Sequence, residues 1–291
     1  MRYAQVFPGQ GSQFVGMGKD LFDQYSEAKK HFLEANKILG FKITEIMFEG
    51  SQKELTETNI AQPAIFIHSI IKSRLVKKKG EIIGVAGHSL GEFSALVASN
   101  SISFQDGLKL VNIRAKEMRK ACEENPGTMA AVIGLENESV ENCCNKIKEI
   151  VVPANYNCPG QIVVSGEKKA IISVSKILNE IGARKVIELN VGGAFHSPLM
   201  LPAKKELEKY IEKIEFKKPS SLIYQNSVGK GVSNIGEIRK NLVDQLISPV
   251  LWTQSINQMV NDGIKNFVEI GPGRVLQGLI KKINPNLNLE F

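Results

Sequence analysis

Ser89 stands between Gly87 and Gly91 in the stretch GVAGHSLGEF at 84–93, at the end of an apolar run. The spacing G-x-S-x-G, preceded by a strand pattern and followed by a helix pattern, is that of a sharp turn that lifts a serine hydroxyl clear of the backbone and sets it near the positive end of the helix. In that setting the backbone N–H of Leu90 points at a developing oxyanion. The chemistry is nucleophilic attack on an acyl carbonyl; an ordinary tight turn is the alternative reading of the same glycines.

A serine hydroxyl is a weak nucleophile at neutral pH and needs a base, nearly always histidine. The chain has four histidines. His31 and His68 fall in helical patterns and read as surface or packed residues, and His88, beside the serine, should point elsewhere. His196 remains, in the glycine-rich stretch GGAFHSPLM, and is the candidate base. A third member is harder to find. Asp106 is the only aspartate between Ser89 and His196, and it lies close behind the serine helix with no loop setting suited to orienting a histidine. The pattern is that of a Ser-His pair.

Two further features surround this pair. Pro8-Gly9-Gln10-Gly11-Ser12-Gln13 follows the first strand pattern and fails as a nucleotide loop, because Phe14 stands where G-x-G-x-x-G needs glycine. As a backbone loop presenting N–H groups beside the serine it works, with a plain turn as the alternative. Arg114 falls on a helix whose apolar face carries Leu108, Val111 and Met118. A guanidinium there asks for a carboxylate. Either an internal ion pair supplies it, or a substrate does, through the planar fork that matches a carboxylate.

The elements that must position these residues form an α/β core. YAQVFPG at 3–9, IIGVAG at 82–87 and FVEIG at 267–271 are short apolar runs ending in glycine, as expected of parallel strands whose carboxyl ends face a site. AQPAIFIHSIIKSRLVKKKG reads as a helix stopped by Gly80, and LGEFSALVASN as a buried helix after the serine. From Thr128 the order becomes β-α-β-β-α-β, the ferredoxin-like pattern. The expectation is a small domain, 126–196, inserted into a discontinuous large domain, 1–125 and 197–291. EIGPGRV reads as a structural strand-to-helix turn.

The 291 residues are 43% hydrophobic and 23% charged, which is ordinary for a globular protein with a sizeable core. No run approaches the roughly 18 apolar residues of a membrane span, and the start lacks the apolar region of a secretory signal. A cytoplasmic protein with no membrane association is expected. Cys122, Cys143, Cys144 and Cys158 lack zinc-site spacing and disulfide density, so neither metal nor disulfide is expected. The formal charge of +7 is spread over clusters such as Lys77-Lys78-Lys79, Lys204-Lys205, Lys217-Lys218 and Lys281-Lys282. With no recognition module for nucleic acid, this is either a set of solvated faces or a surface that steers an acidic partner.

Taken together, FPGQGSQ, GHSLGE, the arginine in NIRAKEM, AAVIGL, ANYNCPGQIVVSG, GAFHSPLM, QLISPVLWTQS and EIGPGRVL run through essentially the whole chain in order. This set resembles the malonyl-CoA:acyl carrier protein transacylases of bacterial fatty acid synthesis. The resemblance implies an α/β-hydrolase-like large domain with a ferredoxin-like insertion, and a Ser-His dyad in the cleft between them. It implies Ser89 as nucleophile, His196 as base, the backbone of Gln10 and Leu90 as oxyanion hole, and Arg114 as clamp on a malonyl carboxylate. It further implies that a backbone carbonyl at Gln245 orients the histidine, and that Asn155 lines the site. Leu90 and Phe195 resemble the malonyl-selecting form of related acyltransferase domains. The implied substrates are malonyl-CoA, a coenzyme A thioester, and an acidic acyl carrier protein, with no permanently bound cofactor and a monomeric enzyme. The rivals are a serine esterase or thioesterase, for which water is the acceptor, and a carrier-protein docking module without activity.

Overall fold

The computed structural model describes residues 1–76 and 80–290; the cluster Lys77-Lys78-Lys79 lies outside the described residues. Among these residues ten strands are formed: β1 Arg2–Phe7, β2 Glu81–Gly87, β3 Gly127–Ile133, β4 Val151–Cys158, β5 Gln161–Glu167, β6 Lys185–Glu188, β7 Leu222–Gln225, β8 Lys230–Val232, β9 Asn266–Glu269 and β10 Asn288–Glu290. One sheet has the order β10-β9-β1-β2-β7-β8 and is parallel except at β8; the other, β4-β5-β3-β6, is antiparallel. The helices Asn137–Asn145 and Lys168–Glu180 complete the β-α-β-β-α-β order around the second sheet. The fold is α/β, with the parallel sheet and the ferredoxin-like strand order that the sequence patterns predict.

Register explains where a site can form. Phe7 pairs with Gly87, Val6 with Glu269, and Ala86 with Tyr224. The carboxyl ends of β9, β1, β2 and β7 therefore lie side by side, and the segments that follow them, Gly271–Gly273, Pro8–Gln13, His88–Leu90 and Asn226, emerge on one edge. The central pair β1 and β2 is apolar and buried toward this end, as a strand covered on both faces must be.

Three helices bring the remaining side chains to that edge. Thr58–Leu75 is buried without interruption from Ile60 to Ile71, so it is a core helix rather than an amphipathic one. It ends at Leu75, with Val76 as its C-cap, earlier than the stop at Gly80 expected from sequence. Gly91–Ala98 follows the serine and buries every residue from Gly91 to Val97. Phe104–Glu124 begins at Ser103, whose hydroxyl accepts the Asp106 N–H at 3.0 Å and donates to the Asp106 carboxylate at 2.7 Å. Asp106 is consumed by that cap and takes no part in orienting a histidine.

Gly87 and Gly91 are dictated by space. A Cβ on Gly87 would lie 1.8 Å from the Gly91 carbonyl carbon, and one on Gly91 would lie 2.0 Å from the Phe7 carbonyl oxygen. Both obstacles are backbone, so neither can yield by a rotamer change. Gly91→Ala is accordingly expected to destabilise the fold by about 3 kcal/mol, the upper end for forced overpacking. Urea denaturation of the variant checks this, and an unchanged midpoint would show that the turn can open.

Candidate active site

Ser89 adopts φ +50, in the left-handed region, as the sharp turn between β2 and its helix requires. Its Oγ lies 2.8 Å from Nε2 of His196. His196 also has a positive φ, +57, in the loop that leads into the short helical turn Pro198–Met200. That loop is packed hard against the helix Phe104–Glu124: a Cβ on Gly193 would sit 2.2 Å from the Cys122 sulfur. On the far side of the ring, Nδ1 lies 2.9 Å from the Gln245 carbonyl oxygen. A carbonyl can only accept, so Nδ1 carries the proton and Nε2 is left as the acceptor for the serine hydroxyl.

Electrostatics keep that acceptor available. His196 is 3% exposed. Burial, followed by the nearby Arg114 charge, pushes its pKa down to about 3, so the imidazole is neutral across the physiological range. The other histidines are otherwise engaged. His88 is turned to Asn157, with Nε2 2.8 Å from its Oδ1, and His31 lies against Arg74 and Glu34. His68 is buried in the core helix, where desolvation also lowers its pKa to about 3.

Arg114 enters the same space from the Phe104–Glu124 helix and is 1% exposed. Its Nη1 donates to Gln62 Oε1 at 2.7 Å; its Nη2 donates to Ser89 Oγ at 2.9 Å and to Gln245 Oε1 at 3.1 Å. Its Nε is buried without a partner, and the guanidinium lies 5.4 Å from the Phe93 ring centre. Among the described residues no carboxylate forms an ion pair with it, so of the two alternatives the sequence left open the internal salt bridge is not formed. Glu92 acts on it only through space, and burial lowers the Arg114 pKa to about 10, leaving it charged at neutral pH. A buried cation surrounded by neutral acceptors leaves its charge available to an anion.

The remaining predicted residues gather around the pair. A cavity of about 280 Å³ borders Ser89 and is lined by Gln10, Leu90, Arg114, Asn155, Phe195 and His196. Gly9 packs so closely on the elbow that a Cβ there would meet the His88 carbonyl oxygen at 2.5 Å, which brings Gln10 beside Leu90. The backbone N–H groups of Gln10 and Leu90 have no hydrogen-bond partner among the described residues. Asn155 lies on β4, and the neighbouring backbone joins the second sheet to the Val250 segment through Tyr156 N–H to Val250 O at 2.9 Å. Gln245 sits behind the pair: besides its carbonyl, its Nε2 donates to the Ser89 carbonyl oxygen at 3.0 Å.

Sequence reasoning passed over Gln62, Glu92, Asn157 and Asn226. Asn226 holds the elbow directly, and its signal was a polar pair, Gln225-Asn226, closing an apolar strand. Glu92, the acid of GHSLGE, is wholly buried, and burial raises its pKa to about 7.

The family model for the acyl transferase domain matches residues 4–285. The malonyl CoA-acyl carrier protein transacylase of Bacillus subtilis (strain 168) is 41% identical over 290 residues, covering 98% of this chain and 92% of the relative. The chain belongs to the malonyl-CoA:acyl carrier protein transacylase family. A second such relative, from Staphylococcus aureus (strain MSSA476), is 40% identical over 289 residues, covering 98% of this chain and 94% of its own. Among solved structures, an acyl carrier protein S-malonyltransferase from Vibrio cholerae is 37% identical with a TM-score of 0.94, covering 99% of this chain and 96% of that one. A malonyl-transacylase solved in complex with a type II PKS acyl-carrier protein is 38% identical with a TM-score of 0.95, covering 99% and 95%. The α/β fold and the architecture of two sheets are those of this transacylase family.

The depressed His196 pKa gives a pH prediction. A solvated imidazole would lose its basic form below about pH 6.5; this one stays neutral far lower. Sulfonylation of Ser89 by phenylmethanesulfonyl fluoride should therefore hold its rate between about pH 8 and pH 5. Because the folded pKa lies below the unfolded one, His196 imposes no stability penalty above the unfolded value, and stability falls as pH drops toward about 3. Glu92, raised to about 7, has the opposite sign: its stabilisation is present at low pH and is lost as pH rises through that value. Inactivation rates with parallel circular dichroism test this, and an acid limb at the free-imidazole pKa in folded protein would mean that water reaches the ring.

Proposed function

We propose that this member of the transacylase family carries a malonyl group from coenzyme A to the phosphopantetheine thiol of an acyl carrier protein, by way of a malonyl ester on Ser89. The observation that carries this reading is Arg114: a buried, charged guanidinium beside the Ser89 hydroxyl with only neutral partners. A short acyl group with a terminal carboxylate fits it, because the carboxylate supplies the missing charge while its other end presents a carbonyl to Ser89.

In the first half-reaction His196 Nε2 takes the hydroxyl proton as Ser89 Oγ bonds to the thioester carbonyl carbon. The negative charge that develops on the carbonyl oxygen is met by the N–H groups of Gln10 and Leu90. The carbon-sulfur bond then breaks, and the imidazolium returns the proton to the coenzyme A sulfur. In the second half-reaction the same Nε2 takes the proton of the carrier thiol, whose sulfur attacks the ester, and Ser89 leaves with that proton. The Gln245 carbonyl holds the tautomer throughout. Asn155 and Phe195 shape the acyl cavity, and Phe195 sets its width. The boundaries 126 and 196 divide the chain, in this reading, into the small domain and the discontinuous large one.

An acidic carrier protein suits the net charge of +7. Several of the lysines are already engaged: Lys204 with Asp244 at 2.7 Å, and Lys281 with the Leu287 carbonyl at 2.8 Å. Steering therefore rests on the others, such as Lys205, Lys217, Lys218 and Lys282. No described helix is long and apolar enough to cross a membrane, in keeping with soluble substrates.

Intact-mass spectrometry after rapid quench should find a malonyl adduct on Ser89 from malonyl-CoA alone, removed on adding holo acyl carrier protein. Turnover without that adduct would end the covalent reading. Arg114→Ala would leave the malonyl carboxylate without its cation at a cost of roughly 3 to 5 kcal/mol, as for a broken buried pair. Malonyl transfer should fall by about two to four powers of ten. Acetyl transfer, with no carboxylate to hold, should change by less than about tenfold. Equal losses for the two acyl groups would make Arg114 a structural residue and return the esterase reading to favour.

A further inference from the structure

The left-handed conformation of Ser89 is held by something other than the glycines around it. Gly87 and Gly91 make room for the turn, but they place no bond on the serine, and a non-glycine residue in this region carries a strain of about 1 kcal/mol or more. The Ser89 carbonyl oxygen accepts the Glu92 N–H at 3.1 Å and Gln245 Nε2 at 3.0 Å, and the bonds on the N-terminal side of the turn come from the end of β7. Asn226 Oδ1 accepts the Ser89 backbone N–H at 2.7 Å, and Asn226 Nδ2 donates to the Gly87 carbonyl oxygen at 2.7 Å. One carboxamide thus closes a ring across the elbow. The direction of both bonds is fixed, since an N–H must donate and a carbonyl must accept.

Asn226 is in turn held on every side. It is fully buried. Its N–H donates to Glu92 Oε2 at 2.8 Å, and its carbonyl oxygen accepts the Leu251 N–H at 2.9 Å. The other Glu92 oxygen accepts Gln225 Nε2 at 3.0 Å, and Gln225 is fixed by the Ile238 carbonyl and by Asn241 Nδ2. Glu92 lies one residue past Gly91 on the serine's own helix, so the clasp ties both sides of the elbow, the end of β2 through Gly87 and that helix through Glu92, to the end of β7.

We propose that Asn226, fixed by Glu92, is a positioning residue for acyl transfer: its carboxamide keeps Ser89 left-handed and takes up the Ser89 N–H, leaving the Leu90 N–H to face the oxyanion. The inference rests on Ser89 being the nucleophile. It assigns Asn226 no contact with substrate. No other side chain of this reach replaces it, because an aspartate supplies two acceptors and would set an anion against the Gly87 carbonyl, while a serine is too short to close the ring. Arg114 is anchored by Gln62 and Gln245, neither of which bonds Asn226, so loss of the clasp should act on the chemical step and leave grip on the acyl carboxylate largely intact.

The test compares Asn226→Ala, Asn226→Asp and Glu92→Gln in the full chain, with urea midpoints as a check on folding. In Asn226→Ala the kcat for malonyl transfer and the rate of Ser89 sulfonylation by phenylmethanesulfonyl fluoride should fall together by about 10²-fold, the loss expected from a misplacement near 1 Å. The KM for malonyl-CoA should stay within about threefold of the parent, since ground-state binding is untouched. Asn226→Asp should not recover the rate. Glu92→Gln, which keeps Asn226 but loses one acceptor behind it, should show a smaller loss in the same two readouts. A folded Asn226→Ala protein with kcat and labelling unchanged, or with the whole loss in KM, overturns the proposal. Should Asn226→Ala not fold, amide hydrogen exchange of the unaltered protein decides: slow exchange at Ser89 N–H supports the clasp, and fast exchange overturns it. Failure to label Ser89 in the unaltered protein would instead count against the nucleophile reading itself.

Discussion

The active site hangs on one backbone constraint, the left-handed turn at Ser89. Because β1 and β2 run parallel with Phe7 opposite Gly87, the chain leaving β2 must turn within a few residues to start its helix beside the loop leaving β1. Only glycine fits on either side of the serine, where a Cβ would strike backbone within 2 Å or so of its ideal position. Once that turn is made, the serine hydroxyl projects into the cavity, the Leu90 N–H heads the helix, and Gly9 brings Gln10 alongside. The same crowding that forbids a side chain at Gly91 therefore sets the Gln10 and Leu90 N–H groups of the proposed oxyanion site side by side, and the two cannot be separated by substitution.

Around the turn the protein buries two ionisable groups that it does not pair by contact. Arg114 and Glu92 are both fully enclosed, feel each other through space and form no ion pair. Each is instead satisfied by amide groups: the Gln62 and Gln245 side chains for the guanidinium, the Gln225 side chain and the Asn226 backbone for the Glu92 carboxyl. Neutral dipoles stabilise a buried charge without cancelling its field. The Arg114 field persists in the cavity, where it adds to burial in holding down the His196 pKa, and that persistence, on which the proposed grip on an acyl carboxylate depends, is what a direct Arg114–Glu92 pair would abolish.

How much of this was legible in the sequence depended on the kind of signal. Parallel strands and the β-α-β-β-α-β order were readable because apolar runs and their periods report burial directly. Ser89 was readable because the turn needs two glycines at fixed spacing, and His196 because so few histidines compete. The helices between Lys19 and Thr56 and the short strands β8 and β10 carry weak patterns, and only tertiary packing fixes them. Arg114 was placed on its helix but its partner could not be chosen, since the carboxamides that surround it come from positions as far apart as Gln62 and Gln245. Asn226 left only a faint local mark, the polar pair it forms with Gln225 at the close of an apolar strand. Its role arises from β7 lying next to β2, a pairing across more than a hundred residues of intervening chain.

The replacement of an acid by a backbone carbonyl behind His196 follows from the same electrostatics. In a serine triad a carboxylate holds the histidine tautomer and stabilises the imidazolium. Here the residue in that place, Gln245, touches His196 through its carbonyl and Arg114 through its side chain. A carboxylate at the same spot would lie within reach of the guanidinium and would pair with it, since a buried cation takes the nearest anion. The arginine would then be spent inside the protein, and nothing would remain to select an acyl group bearing its own carboxylate. A carbonyl fixes the tautomer through its dipole and carries no net charge, so the histidine is oriented and the arginine stays open. The dyad is thus the form of base that is compatible with recognising a charged acyl group a hydrogen bond away from the nucleophile.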